Sequence, residues 1–292
     1  VAGEHLAERL GLGAEARALV ISCAGLGTCH AANHGVYEAL RRGAASGAEL
    51  VVPAPWAREA VSRYLGEDIG VELTLNAEHD QYRWGPLTQA PSLLDGDGGL
   101  PRTPADTWDH ADLEEVRREC RAQVERAIWW GLDITHLTSH LETLVLRPEF
   151  FDVYLELALD FSLPIRLPGR DVEARAGFPF RQLAASAGAI FPDRSVELPP
   201  GSRPLATRLA HLLAELAPGV TELVLAPASD TPELRALTSR WAEHVDELDL
   251  VLPAAELESL LGRLGIVVTS WRALRAELRR EPRQPRADVP TP

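Results

Sequence analysis

The sequence predicts an α/β barrel of mostly parallel strands. Short apolar runs alternate with amphipathic helical stretches along the chain, the pattern of strands joined by crossover helices. Roughly six or seven such units follow one another, and a chain of 292 residues suits a barrel. The one glycine-rich strand-to-helix turn, "GLGTCHAANHG", has Gly25 and Gly27 but His30 where a dinucleotide fingerprint needs its third glycine. That disfavours an open nucleotide-binding sheet.

Element by element, Leu6–Leu12 reads as a short helix and Ala18–Ser22 as the first strand, followed by a helix over about Asn33–Arg42. Glu49–Val52 is a second apolar run. "PWAREAVSRYLG" places Trp56, Val61 and Leu65 on one helical face, and "GVELTL" (Gly70–Leu75) is a third strand. A long Pro- and Gly-rich loop covers about Asn76–Thr107. "DLEEVRRECRAQVERAIWWG" is the clearest helix, with Leu113, Val116, Cys120, Val124, Ala127 and Ile128 along one stripe. "DITHL" is a fourth strand, Arg147–Phe161 a helix and "LPIRLP" a fifth strand. Leu205–Leu216 is helical, and "GVTELVLAPASDTPELRALTSRWAEHV" is strand, loop and helix, with Thr231 as N-cap and Pro232 at the first helical position. "LDLVLP", a helix at Ala254–Leu264 and "GIVVTSWRAL", with Ser270 as N-cap, close the alternation. Residues 1–280 are expected to form one domain. The tail 281–292, "EPRQPRADVPTP", has no apolar period and is expected to be disordered.

Composition narrows the function. Hydrophobic residues make up 46% of the chain, enough for a sizeable core. Net charge is −14, spread along the chain, which disfavours nucleic acid and anionic membrane as partners. No apolar stretch approaches the roughly 20 residues of a membrane span. Glu4, Glu8 and Arg9 are wrong for a secretory signal. Cys23, Cys29 and Cys120 make no disulfide framework, so a reduced, cytoplasmic chain is expected. Cys120 belongs to a helical core stripe, and Cys23 and Cys29 read as small packing residues.

In a barrel, chemistry sits at the C-terminal ends of strands. The first end, "SCAGLGTCH", carries no acid and no base at its tip. Cys23, Cys29, His30 and His34 match no usual zinc spacing. Glu72 interrupts an otherwise apolar strand. Pointing outward it is an ordinary solvated residue; pointing into the barrel it is a candidate general base or metal ligand. His136 and His140 end the fourth strand, with Thr138 between them, and Arg166 lies on the fifth. Arg83 and Trp84 in "YRWGP" suit clamping and stacking of a sugar, or else capping of the barrel. Ser229 and Asp230 follow a later strand.

These strand ends resemble the YdjC-like carbohydrate deacetylases, the ChbG/HpnK family. The resemblance runs over nearly the whole chain. It is carried by "LAERLG", "LVISCAGLGTCHAANHGV", "DIGVELTLNAEHDQYRWGPLT", "SLLDGDGG", "THLTSHLETL", "RPEFFDVYLELA", "GVTELVLAPASDTPELRAL" and "GIVVTSWRALR". It implies a distorted TIM-like (β/α) barrel and removal of N-acetyl groups from amino sugars with one divalent metal, zinc or magnesium. Such chemistry needs a metal to polarise the carbonyl, a base for water and an acid for the leaving amine. Where the family has an Asp pair, one the base and one a metal ligand, this chain has Ala24 and Gly25. Glu72 replaces a metal-binding His, and Thr138 an Asp. Ala226 stands where a late His, the candidate acid, precedes Pro227. Glu142 stands where a glycine is frequent. His136 and His140 remain, and His140 is the one metal-ligand position kept.

The scaffold positions therefore match the family while the reactive positions do not. The leading expectation is a catalytically degraded deacetylase homologue that keeps a sugar-type pocket lined by Arg83, Trp84, His136 and Arg166 and needs no cofactor. A second reading is a repurposed, metal-independent enzyme with Glu72 as general base and His140 or His136 as its partner. A third is a residual deacetylase with Glu72 and His140 as metal ligands. A small carbohydrate or other small molecule is the expected ligand in each.

Overall fold

β1 (Arg17–Leu26) is the strand on which the sheet is assembled. With β2 (Gly47–Leu50), β3 (Ile69–Leu73), β4 (Ile134–Ser139), β5 (Arg194–Glu197), β6 (Gly219–Leu225) and β7 (Ile266–Val268) it forms one all-parallel sheet in the order β4-β3-β2-β1-β6-β5. One edge of β1 pairs with β6 from Arg17 to Cys23. The other edge is shared, with β7 beside Arg17–Leu19 and β2 from Ser22 onward. The far side of β4 makes a single bridge, Leu137 to Ile165, and the Ile165 N–H donates to the Ile190 carbonyl at 3.0 Å, just before β5. The result is a half-barrel wrapped by helices, its open side spanned only by these thin contacts. The computed structural model describes residues 6–199, 201–252 and 254–280; the tail 281–292 lies outside them. Among the described residues no helix is long and apolar enough to cross a membrane.

Most predicted elements form, within a few residues at their ends. Thr231 caps its helix by accepting from the Leu234 N–H, and Ser270 does the same for Ala273. Four readings are corrected. "LPIRLP" is not a strand beyond the one bridge, because Pro164 and Pro168 flank it and cannot donate to a ladder. "LDLVLP" instead contains the end of the helix Trp241–Val251, which buries Leu248 and Val251 at a spacing of three. Ile128 ends its helix 48% exposed rather than in the core. The loop after β3 contains a helix at Pro104–His110, capped by the Thr103 hydroxyl, which accepts from the Asp106 N–H. β5 was not anticipated, since "RSVE" is short, polar and only partly buried.

Alternation along the strands decides what faces the interior. Leu19, Ile21, Cys23, Ala48, Leu50, Val71, Leu73, Leu137 and Leu223 face the helices and form the main core. The other face turns into the barrel. At its bottom Ala18, Val20 and Val220 pack against Trp271 and Leu274, and the Trp271 indole N–H donates to Ser22 Oγ at 2.9 Å. Above this plug the same face carries Glu49, Glu72, His136, Thr138 and Glu222, by register and period. Parallel strands of this kind are usually apolar on both faces; here the interior face is charged.

The helix His30–Arg42 is pressed against the loop after β6. A Cβ on Gly35 would lie 2.5 Å from the Pro227 carbonyl oxygen and 2.6 Å from Ala228 Cα. Both are backbone atoms, so the clash outweighs the roughly 1 kcal/mol that Ala gains over Gly in a helix. Gly35→Ala is expected to destabilise by roughly 1–3 kcal/mol. The check is a lower urea midpoint at unchanged slope; an unchanged midpoint contradicts this packing.

Candidate functional site at the barrel mouth

The loop after β1 is built as a rigid frame. Gly25 and Gly27 adopt φ of +84° and +94°, the left-handed region that favours glycine. Asn33 fixes the turn: its Oδ1 accepts from the Gly27 N–H at 2.6 Å, and its Nδ2 donates to the Trp56 carbonyl and to Glu59. Thr28 Oγ donates to the Gly25 carbonyl, and Tyr82 reaches over from the β3 loop to donate to the Thr28 carbonyl. All but the Asn33–Glu59 bond engage backbone. Directly after Cys23 come Ala24 and Gly25, which bring no side-chain donor or acceptor.

The ionisable centre of the mouth is His140, directly after β4. Its Nδ1 lies 3.1 Å from Glu72 Oε1 and its Nε2 lies 3.0 Å from Glu78 Oε2. Glu72 comes from β3, where it pairs in register with Thr138 on the inward face. Glu78 comes from the loop beyond. Burial opposes protonation of His140, but the two carboxylates outweigh it and raise its pKa to about 10. In the other direction, burial would push Glu78 up, and the His140 hydrogen bond and charge instead lower it to about 2. His140 is thus an imidazolium with both N–H groups donating to carboxylates on opposite edges of its ring. The following Leu141 and Glu142 adopt φ of 50° and 57°, so Glu142 pays left-handed strain at the position where a glycine is frequent in the family.

A second charged layer lies deeper. Arg166 donates from Nη2 to Glu49 Oε1 at 2.5 Å, from Nε to Glu222 Oε2 at 2.8 Å, and again from Nη2 to Glu222 Oε1. Glu49 and Glu222 are completely buried. Burial alone would raise the Glu49 pKa, yet Arg166 and then His136 hold it below the ordinary carboxylate value. Ser195 on β5 donates to Glu222 Oε2 at 2.9 Å. Two polar atoms on this inward face remain unpartnered and buried: Glu49 Oε2 and Thr138 Oγ1.

The structure brings Glu72, His140, Thr138 and Arg166 to one inward-facing region and separates the other expected residues from it. His136 is completely buried, stacked on Trp271 at 4.2 Å with its Nε2 3.5 Å from Glu49. It is a floor residue and cannot touch a ligand at the mouth. Trp84 is buried with its indole N–H donating to the Asn76 carbonyl, so it caps the barrel rather than stacking a sugar. Arg83 is spent on the Ala77 and Leu100 carbonyls and on Asp95, holding the β3 loop together. Ala226 donates its N–H to Glu247, and Ser229 Oγ lies 2.7 Å from His34 Nδ1. Cys23 and Cys29 are buried, and Cys29 Sγ caps its helix by accepting from the Ala32 N–H. Glu49, Glu222 and Glu78 were not singled out from the sequence. Glu49 and Glu222 carry the signal that marked Glu72, a carboxylate interrupting an apolar strand; Glu78, in a polar loop, carries none.

An incomplete parallel barrel with charged side chains gathered towards its strand ends defines the class: an α/β half-barrel protein. The particular family follows from comparison. The YdjC-like protein family matches residues 18–263. A carbohydrate deacetylase of Thermus thermophilus is 37% identical over 278 residues, covering 94% of this chain and 99% of that protein. A carbohydrate deacetylase of Thermoanaerobacter pseudethanolicus is 25% identical, covering 88% and 99%. An Enterococcus faecalis crystal structure, provisionally assigned to cellobiose-phosphate cleavage, superposes with a TM-score of 0.76 at 22% identity, covering 89% and 99%, which supports the fold. The chain belongs to the YdjC-like family.

The residues present do not fit the divalent ion that the resemblance implies. Among the described residues no three His, Cys, Asp or Glu side chains converge as ligands. Glu72 and Glu78 sit on opposite edges of the His140 ring, so their oxygens and its ring nitrogens do not converge on one point.

Two outcomes are expected. In the native protein the His140 ring titrates near pH 10, readable from its imidazole NMR shifts; titration near 6.5 contradicts the ion triad. Because its folded pKa is raised, the stabilisation from His140 is complete below about pH 6.5 and is lost as pH rises through about 10. At the acid end Glu78, with its folded pKa lowered, keeps its contribution above about pH 4.5 and loses it as pH falls through about 2. Deeper down, Arg166→Met leaves two buried carboxylates unpaired and is expected to cost roughly 3–5 kcal/mol, measured by chemical denaturation.

Proposed function

We propose that this protein binds a small carbohydrate at its barrel mouth and does not hydrolyse an N-acetyl group there. The observation that carries the reading is the end of β1. The loop where the family resemblance places two acids is firmly held here, by the Gly27–Asn33 hydrogen bond among others, while Ala24 and Gly25 stand at those two positions. A frame this well held, with its reactive groups gone, supports a kept pocket and lost chemistry. The late position tells the same story, since Ala226 has no proton to give a leaving amine. The carbohydrate class comes from the deacetylases of Thermus and Thermoanaerobacter, which the chain matches nearly end to end.

The mouth geometry weighs against a base at Glu72. Its Oε1 is already engaged by the His140 ring at 3.1 Å rather than left free to face a substrate proton. It also weighs against Glu72 and His140 as a metal pair, because the two ring nitrogens are turned to carboxylates on opposite edges and do not converge on one point.

Acetate release from N-acetylglucosamine and its short β-1,4 oligomers tests the proposal, with zinc or magnesium supplied and the Thermus deacetylase as positive control. No release above buffer is expected from this protein, together with saturable binding of one of these sugars in calorimetry. Metal-dependent acetate release at a rate near the control overturns the loss of chemistry. Absence of binding by any sugar tried, acetylated or not, overturns the pocket.

A further inference from the structure

We infer that the mouth selects a cationic sugar, a hexosamine bearing a free protonated amine, over its neutral N-acetylated form; this rests on the carbohydrate-pocket reading above. The inward face and rim gather an excess of negative charge. Glu49 and Glu222 are fully buried below. Glu72 and Glu78 flank His140. Glu142 and the exposed Glu197 lie within electrostatic reach of each other. Facing these six carboxylates are two embedded cations, Arg166 and His140. Arg166 is already divided between Glu49 and Glu222, and His140 between Glu72 and Glu78. Arg175, also near Glu142, is paired with Asp171 on the surface. His79 Nε2 lies 3.7 Å from Glu78.

Charge alone does not make a site. The second observation is Thr138. It is completely buried, it stands in register with Glu72 on the same inward face, and its Oγ1 has no partner within the protein. A buried hydroxyl without a partner costs roughly 1–3 kcal/mol, and a ligand hydroxyl or ammonium seated beside Glu72 supplies one. Glu49 Oε2, likewise buried and unpartnered, adds an acceptor without a donor in the layer below. Glu49 Oε2 accepts, Thr138 Oγ1 can both accept and donate, and the surrounding field is negative. An ammonium beside Glu72 brings N–H donors for the Thr138 oxygen and a positive charge for the field. An N-acetyl group carries one N–H, no positive charge, and a carbonyl oxygen that such a field disfavours.

The test is calorimetric titration of the full chain at pH 6 with glucosamine, N-acetylglucosamine, glucose and putrescine. Glucosamine is expected to bind at least roughly tenfold more tightly than N-acetylglucosamine, about 1.4 kcal/mol, and to weaken as salt rises from 50 to 500 mM. Glu142→Gln with Glu197→Gln removes rim charge without touching the buried layers and is expected to reduce that ratio severalfold; Thr138→Val, nearly isosteric, is expected to weaken glucosamine severalfold with the fold intact by circular dichroism. Equal or tighter binding of N-acetylglucosamine overturns the cation preference and leaves the carbohydrate pocket standing. Binding of putrescine with no sugar bound overturns the carbohydrate reading and leaves the cation preference. Unchanged glucosamine affinity in both variants overturns the assignment of these residues.

Discussion

The ion cluster inside the barrel sets the terms for everything around it. Arg166 lies between two fully buried carboxylates, one from β2 and one from β6, on opposite sides of β1. Removing such groups from water is expensive, and the expense is offset only if the geometry is right and the remaining hydrogen bonds are made. The strands must therefore hold their register, since a slip by one residue would turn Glu49 or Glu222 towards the apolar helices. The segment carrying Arg166 is fixed at the thinnest point of the sheet, by a single bridge and the Tyr154 hydroxyl, which donates to the Leu137 and Arg166 carbonyls. Two carboxylates pulling one guanidinium inward help to keep that open side together.

This arrangement separates the interior into levels with different duties. Trp271, His136 and the small residues of β1 make a dry plug. The Arg166 cluster above it is a structural floor that carries charge. His140 with Glu72 and Glu78 is the first level a solute meets. At this level the His140 ring bridges two carboxylates, one at each ring nitrogen.

The β3 loop shows how sequence reasoning about a site goes astray. Arg83 and Trp84 have the side chains expected of a sugar clamp, yet Arg83 is consumed by carbonyls and Asp95 of its own loop, and Trp84 is buried over Asn76. A long loop across a barrel mouth must satisfy its own backbone, and large polar-tipped side chains are the means. The residue that does reach the site from this loop, Glu78, looked ordinary because nothing in a polar stretch distinguishes it.

From the sequence by itself came the parallel barrel class, the order of nearly all its elements, the family, and the emptiness of the first loop. These follow from periodicity, turn and cap chemistry, and residue identity at motif positions, all of which are local. Alternation could not say whether Glu72 faced the helices or the interior, because both faces of a barrel strand are covered. Tertiary structure decided that, through the register of β3 on β4, and with it the inward turn of Glu49 and Glu222. It also decided the meeting of His140 with Glu78, 62 residues away in the chain. Charges so far apart in sequence acquire a common pKa logic only when folding brings them within 3 Å or so in a place from which water is largely excluded.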